Sequence, residues 1–494
     1  MQRIFERYPK SSQRIIEIIM PLTTWLIITL PIWLSPFHPV WVAYFILAFD
    51  VYFFYKSLSV TILSTISYFR MKKYEKVDWR KKAEKVEGFK DIYHTIIITN
   101  YKETVEKVDK TLEFLANQDF PLKRILIVLA MEKREGETAV TRANILIEKY
   151  KTKFGYIGAV YHPDLLNEVK GKASNSTYAA KFISEVVREK NIDPSKVTVT
   201  SCDADSLIPS KYFSYLTYLF LTDKDRYFHF YWAPVLLYSN YWEVPLPVRI
   251  QSTIFSIVRL SILSRPDSLI QVSTYSMSLN LLEKVGYWDT DIIPEDWHIF
   301  LQAFFGLGEK VKTIPVYLII SRDAAYGKTF MASMKNRYEQ EKRWAWGITD
   351  VPYAIKRFFT TPTIPFFPKL YRVFFVVETH LFWPTSFFLL TLAASLPALV
   401  NPVFSRTTLG HNLPHLSGLI LTITTSFLVV LILIDAKSHP KRPAHFSVAK
   451  TPLLIFQWVL LPVISFFLSS LPALEAHTRL MLGKKLEYKV TEKK

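Results

Sequence analysis

Apolar residues in this 494-residue chain gather at its two ends. Ile18 to Phe37 carries no Asp, Glu, Lys or Arg. It is long enough for a helix across a bilayer core of about 30 Å, which takes roughly 20 residues. It is too long for the apolar region of a cleavable signal peptide, and Pro31 and Trp33 do not make a small-residue cleavage site. A second stretch runs from Val40 to Phe69, interrupted by Asp50 and Lys56. Three more come late, Leu381 to Val400, Leu416 to Ile434 and Thr451 to Leu474, so five spans are predicted. Between the two ends the period changes. Short β-branched or apolar runs at His94 to Thr99, Arg124 to Leu129, Tyr156 to Tyr161 and Lys196 to Ser201 read as strands. Helical patterns at Glu103 to Asn117, Glu137 to Tyr150 and Ser174 to Lys190 separate them. Strands alternating with helices predict an α/β domain whose parallel sheet is covered on both faces. In such sheets ligands sit at the carboxyl ends of the strands.

Charge gives the orientation. The net charge is +18, which alone would suit a nucleic-acid partner. The basic residues instead flank the apolar segments: Lys72, Lys73, Lys76, Arg80, Lys81, Lys82 and Lys85 after the second, and Lys484, Lys485, Lys489, Lys493 and Lys494 after the last. Such residues are expected on the cytoplasmic side against anionic lipid, so membrane lipid is the expected partner and nucleic acid is not. The first two spans then form a hairpin (residues 1–69), followed by a basic linker (70–90). A cytoplasmic domain follows at 91–363, interfacial and membrane helices at 364–474, and a basic tail at 475–494. The chain is expected to be an integral protein of the cell membrane. Lys437, Lys441 and Arg442 also read as cytoplasmic, so a single crossing by the fifth segment would leave the basic tail outside, unless Pro462 breaks that segment into a re-entrant hairpin. Asp50, at membrane depth, reads either as part of a translocation path or as a partner of Lys56. The one cysteine, Cys202, allows no internal disulfide, in keeping with a reducing compartment.

Three polar clusters carry candidate chemistry. The fourth strand runs into Asp203-Ala204-Asp205. Two carboxylates at a strand's carboxyl end can hold Mg²⁺ or Mn²⁺, which favour such oxygens and bridge to phosphates; the same pattern also serves in plain turns and caps. Glu295-Asp296 opens an apolar helical run, where it reads as a helix cap or as a source of a general base. Gln340, Arg343 and Trp344 share one helical face, suited to stacking a sugar and pairing a phosphate, or to packing on a membrane surface.

With these three motifs in this order, the chain resembles the membrane-bound branch of glycosyltransferase family 2, the group of cellulose, hyaluronan and chitin synthases. Gln340 to Trp344 matches its Q-x-x-R-W pattern. The resemblance implies a GT-A-like (Rossmann-like) cytoplasmic domain with transmembrane helices at both ends. It implies that Tyr101 and Glu103 cradle the donor's base and that Lys172, in Gly171-Lys172-Ala173, faces donor phosphate. The family's adjacent aspartates after the second strand are replaced by Met131-Glu132, with Glu132 the expected substitute. Asp203 and Asp205 would bind metal and donor, Asp296 beside Glu295 would be the base, and Gln340, Arg343 and Trp344 would meet the acceptor.

The expected activity is inverting transfer from a nucleotide sugar, dependent on Mg or Mn, to a growing polysaccharide that is also exported. A transferase acting on a lipid-linked acceptor is the alternative. A transporter or channel with a cytoplasmic regulatory domain would leave the acidic motifs unexplained.

Overall fold

In the computed structural model, which describes residues 2–443 and 451–486, helices α1 (Pro9–Trp33) and α2 (Pro39–Glu75) form the N-terminal pair. The α/β domain follows, with strands β1 (Tyr93–Thr99), β2 (Ile125–Glu132), β3 (Tyr156–His162), β4 (Val197–Asp203), β5 (His229–Trp232), β6 (Val235–Leu236), β7 (Tyr275–Ser278), β8 (Lys312–Pro315) and β9 (Ile320–Ser321). Seven strands make one sheet in the order β3-β2-β1-β4-β7-β5-β8, and β6 pairs with β9 apart from it. β1 to β4 are parallel neighbours, as the alternating pattern predicts, whereas β7 runs antiparallel to both β4 and β5.

Alternation along β1 divides the core. Ile96 and Ile98 face helices α3 (Val105–Ala116) and α4 (Glu137–Tyr150), in a cluster with Leu112 and Leu146. Ile97 faces the other way, in a cluster with Ala180 and Ile183 of α5 (Lys172–Glu189). Successive strand residues point to opposite faces, so a sheet buried on both sides needs an unbroken apolar run.

Seven further helices complete the frame: α6 (Leu246–Leu263), α7 (Glu295–Leu307), α8 (Phe330–Ala345), α9 (Asp350–Thr360), α10 (Phe366–Thr391), α11 (Thr408–Ser438) and α12 (Leu471–Met481). Among the described residues six helices are long and apolar enough to cross a membrane, which marks a membrane protein: α1, α2, α6, α10, α11 and the run Gln457–Met481. The sequence predicts five. The extra one, α6, has two-thirds of its apolar window buried within the protein, and its buried Arg249 and Arg259 hide the pattern. The third expected span begins earlier than predicted, at Phe366, and ends at Thr391. α2 has 37 residues, about 56 Å of helix, well beyond a bilayer core. Its second half lies along α6, where the Ser67 and Ser264 hydroxyls are 2.7 Å apart.

Two membrane-side expectations change. Lys56 pairs with Glu378 of α10 at 2.8 Å, so it is not the partner of Asp50; Asp50 is fully buried, with Ser417 of α11 beside it. Pro462 does not make a hairpin, because Gln457–Met481 is one helix containing 3-10 and π turns. Gln457 near its start lies 3.3 Å from Arg249, and Glu475 near its end lies 3.1 Å from Lys342. Both ends therefore contact helices of the α/β domain, and Leu486 packs against the core of that domain. Lys489, Lys493 and Lys494 of the basic tail lie outside the described residues.

One buried ion cluster fixes α7. The His298 ring nitrogens lie 2.7 Å from Asp350 Oδ1 on α9 and 2.9 Å from Asp289 Oδ2. Burial alone would lower the imidazole's pKa, but the two carboxylates outweigh it and hold it at about 9, against an ordinary 6.5. A folded-state value above the unfolded one stabilises most when the group is protonated in both states. The contribution should be complete below about pH 6.5 and be lost as pH rises through about 9. Thermal unfolding in detergent should show this decline in the wild type and a flatter profile over the same window in His298→Gln; parallel profiles would contradict the cluster's role.

Candidate functional site

The carboxyl ends of β1 to β4 form one edge of the sheet. Asp203 is the last residue of β4, level with Thr99 of β1, and Asp205 follows in the next turn. Both are buried. Lys172, the first residue of α5, reaches this edge. Its ammonium donates to Asp203 Oδ1 at 2.7 Å, Glu295 Oε1 at 2.9 Å and the Ser273 carbonyl at 2.6 Å. Burial opposes its charge, but Asp203 and Glu295 prevail and hold its pKa well above the ordinary lysine value. Its three N–H groups are all engaged, so the expected phosphate contact would require one of these bonds to be released.

Arg322 follows β9 and lies against the same carboxylates. It is 2.7 Å from Asp203 Oδ2, 3.2 Å from Asp205 Oδ1 and 2.8 Å from the Ser273 hydroxyl. Among the described residues no group of three or more His, Cys, Asp or Glu side chains is arranged around a metal position. The donor set still fits Mg²⁺ or Mn²⁺. Asp203 and Asp205 supply hard carboxylate oxygens, and Mg²⁺ is commonly bound through one or two carboxylates, with substrate phosphate and water completing the shell.

The acidic pair on α7 is divided by its surroundings. Glu295 is buried and joined to Lys172. Burial pushes its pKa up, Lys172 opposes this, and the neighbouring Asp296 adds to it. Asp296 remains partly exposed. Its Oδ2 accepts from the Ser273 N–H and its Oδ1 from the Trp297 N–H, each at 2.9 Å. Burial raises its pKa too, moderated by the Ser273 N–H, by Lys172 and by the Trp297 N–H. A carboxyl with a raised pKa, reachable by solvent, is suited to proton transfer.

Ser273 joins the set. Its N–H serves Asp296, its carbonyl accepts from Lys172, and its hydroxyl donates to Asp203 Oδ2 at 2.5 Å while accepting from Arg322. These directions are available because Ser273 has a φ of +67°, in the left-handed region that non-glycine residues rarely adopt. Neither Ser273 nor Arg322 is evident in the sequence, since each stands alone in a loop. The signal that could have found Arg322 is an arginine directly after the short apolar strand β9.

The other expected residues fall into two groups. At the ends of β1 and β2, Tyr101 carries the Arg134 guanidinium over its ring at 4.2 Å, and Glu132 is buried in an ion pair with the same arginine. Glu103 pairs with Lys107 at 3.3 Å. On α8, Gln340 is buried and accepts from Arg337 Nη1 at 2.8 Å, so it lies inside the protein. Arg343 and Trp344 are partly buried. One face of Trp344 stacks on Phe255 of α6, with centroids 4.4 Å apart and planes 6° from parallel, and the Arg337 guanidinium lies 4.9 Å from the indole centroid.

The sequence profile of glycosyl transferase family group 2 matches residues 198–468, more than half of the chain, and takes in Asp203, Asp205, Asp296 and Trp344. The chain belongs to this family. It is a glycosyltransferase, served by a nucleotide-sugar donor, and its mixed sheet resembles the GT-A fold. No curated protein matches the sequence. Similar solved structures include the mannosyltransferase PcManGT from Pyrobaculum calidifontis, determined with GDP-Man and Mn²⁺. It is 15% identical, with a TM-score of 0.43 over 79% of this chain and 99% of that one. TarS 1–349 from S. aureus is 12% identical, with a TM-score of 0.32 over 71% of this chain and 93% of that one.

The geometry of this glycosyltransferase makes Ser273 testable. Ser273→Gly and Ser273→Ala both remove the hydroxyl, and only Ala retains a side chain at positive φ. Both variants should lose about 10–100-fold in kcat/KM, the usual effect of deleting a hydrogen bond to a charged group. Ser273→Ala should unfold at the lower temperature of the two, by analogy with the ~1–2 kcal/mol cost of left-handed backbone. Wild-type kcat/KM in either variant would remove the hydroxyl from the site's function.

Proposed function

We propose that this glycosyltransferase transfers a sugar, with inversion, from a nucleoside diphosphate sugar to a growing polysaccharide at the cytoplasmic face of a cell membrane, and that its membrane helices give the product a route across. The observation that carries the reading is the convergence at the sheet's carboxyl edge of Asp203 and Asp296 on Ser273, with Asp205 joined to the same group through Arg322. It is the grouping a synthase of the cellulose, hyaluronan and chitin type needs.

In this mechanism Asp296 takes the proton from an acceptor hydroxyl. The hydroxyl oxygen forms the new bond to the anomeric carbon as the bond to the diphosphate breaks, and the diphosphate leaves with that bonding pair. Asp203 and Asp205 would hold Mg²⁺ or Mn²⁺, which when bound neutralises the charge gathering on the leaving group. Lys172 and Arg322 hold those carboxylates in place. Glu295 keeps Lys172 at the edge. Trp344, fixed by Phe255, offers an apolar edge to the sugar at the end of the acceptor, with Arg343 beside it for phosphate. The base works only when deprotonated, so kcat/KM falls as pH is lowered through the raised Asp296 value.

A lipid-linked acceptor is the second reading, and one observation favours it. Arg343, next to Trp344, is only partly buried, and a guanidinium there can pair with a lipid phosphate.

Three measurements test these roles. Asp296→Asn should lose about 10²–10⁴-fold in rate with donor affinity little changed; loss of donor binding instead would make the pair a structural cap. Chelator should abolish turnover, and Mg²⁺ or Mn²⁺ should restore it; full activity in excess chelator contradicts the metal assignment. In vesicles given donor, the wild type should make a product of many sugars, and Trp344→Ala should shorten it more than it slows donor hydrolysis. A single sugar added to lipid, with Trp344→Ala unaltered in product length, would decide for the lipid-linked acceptor.

A further inference from the structure

A shallow cleft, open to solvent, lies at the carboxyl ends of β2 and β3, lined by Glu132, Arg134, His162, Asp164, Glu168 and Lys170 among others. Glu132 and His162 face each other across the β2–β3 pair. Asp203 ends β4, which is separated from β2 by β1 alone. Neighbouring strands lie ~4.8 Å apart, so the cleft and the Asp203 carboxylate are separated by roughly 10 Å. A ribose with part of a diphosphate fills such an interval. If the diphosphate lies at Asp203 and Asp205, as proposed above, the base of the same donor falls in this cleft.

The lining has a definite hydrogen-bonding pattern. Glu132 is buried, and its Oε2 pairs with Arg134 Nε. The Arg134 guanidinium carbon lies 4.2 Å from the centroid of the Tyr101 ring. A carboxylate, which only accepts, therefore lies beside a guanidinium, which only donates, and both are fixed. The recorded pair uses one carboxylate oxygen and one guanidinium nitrogen. Oε1, the second lone pair of Oε2 and the two Nη groups remain for a ligand.

Guanine is the base with the complementary edge. Its N1–H and N2 amino group are adjacent donors, and its O6 and N7 are adjacent acceptors, the pair that arginine reads bidentately. Uracil offers a single N3–H between two carbonyls, so a carboxylate that accepts its proton also faces an oxygen. Adenine turns the N1 lone pair toward the carboxylate. Each mismatch leaves a charged group short of a hydrogen bond, worth about tenfold or more in affinity.

We propose that the cleft at the ends of β2 and β3 is a guanine subsite, with Glu132 accepting from N1–H and the N2 amino group and Arg134 donating to O6 and N7, so that the donor is a guanosine diphosphate sugar. The proposal rests on the donor position given under the proposed function, and the test separates the two. Calorimetry on the full-length protein in detergent with Mn²⁺ would compare GDP, IDP, UDP, CDP and ADP. GDP should bind most tightly. IDP, which lacks only the 2-amino group, should bind about tenfold more weakly, and UDP, CDP and ADP at least tenfold more weakly. Glu132→Gln should weaken GDP at least tenfold and bring GDP and IDP close together, because the amide cannot accept at both oxygens. Arg134→Met should weaken GDP and IDP alike and preserve their ratio, because it does not touch the 2-amino group. Binding of UDP, CDP or ADP as tight as GDP, or a wild type blind to the difference between GDP and IDP, overturns the guanine assignment while leaving the donor site standing. No binding of any nucleoside diphosphate overturns the donor site and the guanine subsite together.

Discussion

Burying charge is expensive unless each charge meets its opposite, and this constraint organises the site. Asp203 is placed between Lys172 on one oxygen and Arg322 on the other. Those two cations come from distant parts of the chain, the start of α5 and the segment after β9, so the pairing ties the parallel half of the sheet to the small β6–β9 pair. It also bears on the antiparallel strand. β7 pairs with β4 at Ser201 and Tyr275, and continuing that register by two residues brings Ser273 opposite Asp203. A strand running parallel to β4 would not return its entry loop to the acidic edge. The left-handed backbone at Ser273 then turns an N–H, a carbonyl and a hydroxyl toward three different charged groups.

The membrane helices are joined to this domain by specific polar contacts. Glu475 near the start of α12 accepts from the Tyr338 hydroxyl at 2.7 Å and pairs with Lys342 at 3.1 Å, both on α8. Asp435, near the end of α11, accepts from Tyr238 at 2.7 Å and Tyr241 at 3.1 Å. α8 carries Gln340, Arg343 and Trp344, so the residues proposed for the acceptor are fixed directly to the C-terminal apolar helices. In the proposed mechanism the acceptor would then be held where the α/β domain meets the C-terminal apolar helices.

How far the sequence revealed this structure depended on whether a feature was local. β1 to β4 and the helices between them were legible because their side chains repeat with period 2 or 3.6; the run Glu137 to Tyr150 was read with the bounds it has in the structure. The antiparallel β7, Tyr275–Ser278, is four residues with two serines and leaves no periodic trace. α6 was missed because its arginines are neutralised by contacts the sequence does not show: Arg259 donates to the Val235 carbonyl at 3.0 Å and lies 3.5 Å over the Phe255 ring. In the site, the carboxylates were legible as motifs, and their cationic partners were not. Lys172 was expected beside phosphate and lies among carboxylates, because nothing in Gly171-Lys172-Ala173 says which acidic group will be nearest.

The charges at the edge also bear on how donor and metal arrive. Four carboxylates, Asp203, Asp205, Glu295 and Asp296, gather here, and Lys172 and Arg322 pair directly with the first three of them. Burial disfavours the charged form and raises the pKa of both Glu295 and Asp296. A diphosphate adds further negative charge, and at short range in a partly buried site like charges repel strongly. Asp203 and Asp205 would hold a divalent cation, whose positive charge would offset this repulsion. The cation's charge would favour the ionised form of Asp296, and the donor's phosphates would oppose this.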